Sequence, residues 1–201
     1  MSHHPAAPSA GAREEARAPL LEPGVLGMCI FLGTEAMFFA GLISAFLILR
    51  AGSGLWPPPG QPRLPVGVTG ANTLILLSSG GTMWRALASV RKGRERSLTA
   101  WLAATAGLGI VFLSVQGYEW VRLLGFGLTL SSGTYGATFY ALIGAHGLHV
   151  AAAVSALLLV LSRAARREYS LRRHQGVVLC RLYWTFVVGV WPVLYVLVYV
   201  R

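Results

Sequence analysis

Glu35, His146 and His149 are ionisable residues that fall deep inside long apolar runs of this 201-residue chain. If those runs are helices, a rise of about 1.5 Å per residue sinks Glu35 about 17 Å into the first of them. An unpaired carboxylate at that depth must be protonated, paired or in contact with water. The two histidines stand three residues apart in one run, so they share a helix face, and one of them is the expected partner of Glu35. Three chemistries are open to such a set. A hydrogen-bonded clamp between two helices would satisfy the buried polar groups. Proton sharing between carboxyl and imidazole is the second. A zinc or iron site is the third, but helical metal pairs more often use i,i+4 spacing or a repeated Glu-x-x-His, and no further ligand stands at that depth, so no metal is expected.

Nothing else in the chain could run redox or hydrolytic chemistry alone. It carries no Gly-x-Ser-x-Gly elbow, no phosphate loop and no Cys-x-x-Cys-His haem attachment. Cys29 and Cys180 both fall in apolar stretches, which disfavours a disulfide framework and a zinc knuckle and suits small core side chains. No catalytic residue is therefore expected, and any enzymatic role runs through a partner.

The elements that position these residues follow from composition. Hydrophobic residues make up 55% of the chain and charged residues 12%, against about 25% charged in an average soluble domain. A chain of this size has too little interior to hide so much apolar surface from water, so lipid is the expected solvent. Five runs reach the roughly 20 residues that cross a hydrocarbon core: about 24–49, 68–90, 98–117, 135–161 and 177–200. They are too long for strands and lack β-barrel alternation. The expected fold is all-α, a polytopic integral membrane bundle of five transmembrane helices spanning 24–201. Residues 1–23, Ala/Pro-rich with no signal-peptide core, read as a flexible cytoplasmic tail.

Orientation follows from the basic residues. Eleven of the seventeen Lys and Arg lie in the tail, the second loop (Arg91, Lys92, Arg94, Arg96) and the fourth loop (Arg163, Arg166, Arg167, Arg172, Arg173), against four on the opposite face. Cytoplasmic loops collect such residues, which places the N-terminus in the cytoplasm and the C-terminus outside. The net charge of +10 is then a topology signal, and no nucleic-acid partner is expected. Arg85 and Arg181 stand near span ends on the basic side, where they can snorkel to headgroups and hold lipid phosphate. Glu119 and Trp120 end the third span and read as a solvated helix end, with Trp56 and Trp120 in an outer aromatic belt. Ser78, Ser79 and Thr82 are expected to bond back to helix carbonyls. Gly24, Gly27, Gly33, Gly41, Gly144 and Gly147 suit close packing of helices or partner subunits.

Several stretches together resemble subunit III of haem-copper cytochrome c oxidases, in a short five-helix bacterial form without the family's first two helices. They are Gly27-Met28, Phe31-Leu32-Gly33-Thr34-Glu35, Phe38-Phe39-Ala40-Gly41-Leu42, Arg50, Trp56-Pro57-Pro58-Pro59-Gly60, Asn72-Thr73, Leu76-Leu77-Ser78-Ser79 and Gln116-Gly117-Tyr118-Glu119-Trp120. Ser132-Gly133-Thr134-Tyr135-Gly136, Phe139 and Gly144-Ala145-His146-Gly147-Leu148-His149-Val150 complete the set. The resemblance implies a subunit without haem or copper, packed on catalytic subunit I with subunit II in the same complex, in a prokaryotic inner membrane. Haem and copper would belong to the catalytic partner, which reduces O2 to water and pumps protons. This subunit would hold phospholipid and support oxygen access and proton uptake. Glu35 matches the family's buried glutamate, His146 and His149 its paired histidines, and Glu119 the glutamate that ends its third helix. The last helix departs: where the family reads Tyr-Trp-His-Phe-Val-Asp, this chain has Tyr183-Trp184-Thr185-Phe186-Val187-Val188, so a polar interaction is lost or rebuilt. A quinol oxidase subunit or a nitric oxide reductase accessory subunit would carry the same motifs. A small proton channel or transporter is the reading from another class.

Overall fold

The computed structural model describes residues 22–60 and 64–200. The tail expected at 1–23 lies outside the described residues except for its last two positions. Five long helices follow one another: α1 (Pro23–Ala51), α2 (Val66–Val90), α3 (Glu95–Gly125), α4 (Thr134–Ala165) and α5 (Gln175–Tyr195). A short π-helical segment, Val196–Val200, extends α5. No strand occurs among the described residues.

Local chemistry sets several of the helix ends. Pro23 opens α1, where its missing N–H costs nothing. Gly133, at φ 95°, turns the chain into α4 in a conformation that only glycine adopts freely. Pro192 lies inside α5, where it removes one backbone donor, and the wider π-turn follows within one turn of it. The structure changes one expected boundary substantially. α3 runs on to Gly125, so Gln116, Glu119 and Trp120 belong to its body and not to its end.

α2, α3, α4 and α5 pack into one core around Trp184, Trp191, Phe112 and Phe139, all fully buried. α1 leans on α4 and α5 and buries only Phe39 and Phe46. Gly109 lets α3 approach α5, because a Cβ there would meet the Trp184 ring at 2.5 Å. The α1 glycines do not work this way: Gly27, Gly33 and Gly41 have nothing within 4 Å. Only Gly24 of that group is close-packed, against Gln175, while Gly144 and Gly147 receive the Trp120 ring.

α1, α3, α4 and α5 with its extension are long and apolar enough to cross a membrane. α2 has 25 residues, but half of its buried ones are polar: Thr69, Asn72, Thr73, Ser79 and Ser89. As expected, Ser78, Ser79 and Thr82 bond back to the carbonyls of Leu74, Leu76 and Ser79. The chain is a membrane protein whose described residues form helices and no strands.

Candidate functional site

α1 carries Glu35 near its middle, and α4 brings His149 to the same height. Glu35 Oε2 and His149 Nε2 are 2.7 Å apart. On its other side the imidazole donates from Nδ1 to the carbonyl of Ala145 at 2.7 Å. A carbonyl can only accept, so Nδ1 carries a hydrogen. One further proton then lies between Nε2 and Oε2. It resides on the carboxyl in one form and on the imidazole in the other, and the pair is neutral overall in both. Such a pair is far less costly in hydrocarbon than a lone carboxylate.

Aromatic rings fix the pair sterically. Phe38 stacks over the His149 ring at 6.0 Å and Phe39 meets it edge-on at 5.0 Å. The Tyr183 hydroxyl reaches towards the His149 carbonyl at 3.5 Å, and Phe31 packs on Tyr183. The side chains of His149 and Glu35 are 15% and 19% exposed, so the pair is not fully enclosed.

His146 takes no part in this pair. It is 1% exposed, and neither ring nitrogen has a hydrogen-bond partner. It stacks on Trp191 at 4.9 Å and meets the edges of Phe39 and Phe112. Three residues along an α-helix turn the side chain to a direction about 60° from the start. Here that offset sends His149 towards α1 and His146 towards α5. Among the described residues, no three His, Cys, Asp or Glu side chains come together to hold a metal ion.

Glu119 corrects the expectation of a solvated helix end. It is 4% exposed, and its ion pair with Arg122 is long, 3.8 Å, to a guanidinium that is half exposed. Beside it Gln116 Nε2 donates to the Tyr199 hydroxyl at 3.0 Å. Arg85 lies over the Trp101 ring at 4.9 Å and Arg181 over Trp84 at 5.0 Å; both are held flat on aromatic faces near the basic end of the bundle. Trp56 is packed edge-on between Phe46 and Tyr135 as part of the fold. Trp120 lies against Tyr140 with its indole N–H buried and unpartnered.

A cleft of about 690 Å³ was not anticipated at the basic end. Arg91, Arg163, Arg172 and Arg173 line it with Tyr169 and His174, and Val25 and Val178 contribute apolar lining. Glu22 and Glu168 also line it, yet none of the four guanidiniums makes an ion pair within 4 Å among the described residues. Burial pushes the Tyr169 phenol up, against the opposing pull of Arg163, so the hydroxyl stays protonated and able to donate. The run of arginines was legible in the sequence as charge; its convergence depends on the turn at 170–173, where Ser170 and Arg173 exchange backbone hydrogen bonds.

These features can be set beside known proteins. A family model described as cytochrome c oxidase subunit III matches residues 15–201. The chain is 39% identical over 176 residues to cytochrome c oxidase subunit 3 of Synechocystis sp., covering 87% of this chain and 74% of that one. The corresponding protein of Thermostichus vulcanus is 37% identical over 177 residues, 88% of this chain and 86% of that one. That of Oryctolagus cuniculus is 35% identical over 188 residues, 90% of this chain and 71% of that one. With the family matched over nearly its whole length, the chain belongs to the cytochrome c oxidase subunit III family.

Proposed function

We propose that this chain is the cofactor-free accessory subunit III of a haem-copper terminal oxidase in aerobic respiration. It packs on catalytic subunit I, with subunit II in the same complex, and the haem and copper that reduce O2 belong to those partners. All five helices cross a prokaryotic inner membrane, with the N-terminus cytoplasmic and the C-terminus outside. The observation that carries this reading is the 2.7 Å contact between Glu35 of α1 and His149 of α4, on residues that the resemblance matches to the family's buried glutamate and paired histidines. Such a pair supports proton uptake by the complex.

Lipid holding is the second part of the proposal. The guanidiniums of the basic cleft, none of them in an ion pair within 4 Å among the described residues, offer donors to a phosphate with the Tyr169 hydroxyl, and Val25 and Val178 in the same lining suit the acyl chains. Arg85 and Arg181 lie towards the same end. The outer face of α1, with Met37 and Ile48 more than two-thirds exposed, is open for subunit contact.

The test is a gentle affinity purification of the tagged chain, followed by an optical spectrum and identification of co-purifying subunits. Haem absorption together with a large catalytic subunit is expected, and the subunits found distinguish a cytochrome c oxidase from a quinol oxidase or a nitric oxide reductase. A chain that elutes alone and conducts protons in liposomes overturns the proposal in favour of a channel.

A further inference from the structure

The opposite end of the bundle holds a second polar interior that the proposed function does not use. Thr69 and Asn72 of α2 are each 1% exposed, Gln116 and Glu119 of α3 each 4%, and Tyr199 of the π segment 6%. They are neighbours. Gln116 donates to the Tyr199 hydroxyl, Glu119 lies close enough to act on that hydroxyl electrostatically, and Thr69 Oγ1 stands beside it without reaching hydrogen-bond geometry. Asn72 Nδ2 donates to the Phe112 carbonyl at 3.1 Å, one turn before Gln116.

The side-chain hydrogen bonding of this cluster is incomplete. Asn72 Oδ1 and Thr69 Oγ1 have no partner. The Glu119 carboxylate can only accept when ionised, and its one cation is the distant, half-exposed Arg122. The Thr69 and Tyr199 hydroxyls and the second N–H of the Asn72 and Gln116 amides remain as side-chain donors, yet none of them reaches Asn72 Oδ1. Buried acceptors in that position are ordinarily served by ordered water, provided a water finds two to four polar partners. A cleft of about 330 Å³ is lined by Trp56, Pro57, Val66, Tyr135 and Tyr199, and Tyr199 is also the residue whose hydroxyl meets Gln116.

We infer that Thr69, Asn72, Gln116, Glu119 and Tyr199 enclose ordered water that exchanges with the outer aqueous phase through the cleft lined by Trp56. The water supplies the partner that Asn72 Oδ1 and Thr69 Oγ1 lack. It also gives Glu119 a proton-exchange route separate from the Glu35–His149 pair.

Two measurements on the full chain, in the complex with which it purifies, test this. A cryo-EM map that resolves ordered solvent should show a peak about 2.6–3.2 Å from Asn72 Oδ1 and from Thr69 Oγ1, and that peak should be lost in Thr69→Val, a change that preserves side-chain shape. X-ray hydroxyl-radical labelling in 18O-water should oxidise Tyr199 with solvent oxygen, while Trp184, 1% exposed and of a more reactive type, stays unlabelled. Direct protein partners for both orphan atoms, a peak with the oxygen distances of about 2.4 Å typical of a bound cation, or Tyr199 labelling no greater than that of Trp184 would each overturn the inference.

Discussion

Replacing Glu35 and His149 singly and together separates a specific polar pair from general packing. The bond at 2.7 Å joins a carboxyl to an imidazole, and bonds of this charge-assisted type contribute about 1.5–3 kcal/mol. Glu35→Leu leaves Nε2 of His149 without a partner beside apolar side chains, and His149→Phe leaves the Glu35 carboxyl without one. An orphaned buried polar group costs about 1–3 kcal/mol. Phenylalanine keeps the ring contacts with Phe38 and Phe39, which stand 6.0 and 5.0 Å from the imidazole, so the loss reports on polarity and not on a cavity. Each single variant should lose about 1–3 kcal/mol, or roughly 2–4 °C in Tm per kcal/mol for a domain of this size.

The double variant decides the matter. Replacing both members of a buried pair by apolar groups of similar shape is often neutral, so Glu35→Leu/His149→Phe should recover most of the stability lost by either change alone. The assay is reversible unfolding of the purified chain in mixed detergent micelles, run as a full cycle, with Glu119→Ala alongside. That change should cost less than Glu35→Ala, because the partner it strands, Arg122, is half exposed and can turn to solvent. A double variant whose loss equals the sum of the singles would refute the argument: the two side chains would then stabilise independently, and the proton-sharing pair would not exist as a unit.

Two further outcomes follow from packing. Gly109→Ala places a Cβ 2.5 Å from the Trp184 ring and 3.1 Å from Val154, and overpacking of that kind typically costs about 1–3 kcal/mol, which should appear as a lowered melting temperature of the purified chain. Trp191→Phe and Trp120→Phe should diverge in the same assay. The first breaks the 2.8 Å bond to Thr73 Oγ1, worth about 1 kcal/mol, while the second removes an indole N–H that has no partner and relieves that desolvation.

The spans were legible because hydrocarbon is a strict solvent: a run of apolar residues of the right length has few other places to go. Their ends were less legible. Gln116, Glu119 and Arg122 look like the polar fringe of a helix that has left the membrane. Composition alone cannot distinguish that fringe from a buried polar seam, and α3 carries the seam, continuing to Gly125. The candidate site shows the same limit. Spacing put His146 and His149 near one another and near Glu35, but which imidazole takes the carboxyl depends on the packing of α1 and α5 against α4, and that is a tertiary fact. The basic cleft was invisible for a similar reason, since Arg91 and Arg163 meet Arg172 and Arg173 only through the fold of a loop.

The departures at Thr185 and Val188 bear on how α5 is held. Val188 is buried and rests close to Gly80 of α2, so no polar contact has been rebuilt at that position. Two buried polar ties between these helices run through tryptophan, beside the bond from the Tyr195 hydroxyl to the Val66 carbonyl. Ser79 donates its hydroxyl to Leu76 and accepts from Trp184 Nε1, and Thr73 donates to Thr69 and accepts from Trp191 Nε1. Each hydroxyl bonds back to its own helix and still offers a lone pair across the seam, so both indoles are satisfied without a charge. This accounts for the polarity of α2. α2 is tolerable in the bundle because its buried hydroxyls and amide face α5 and α3, while its exposed residues include Leu74, Leu77 and Trp84.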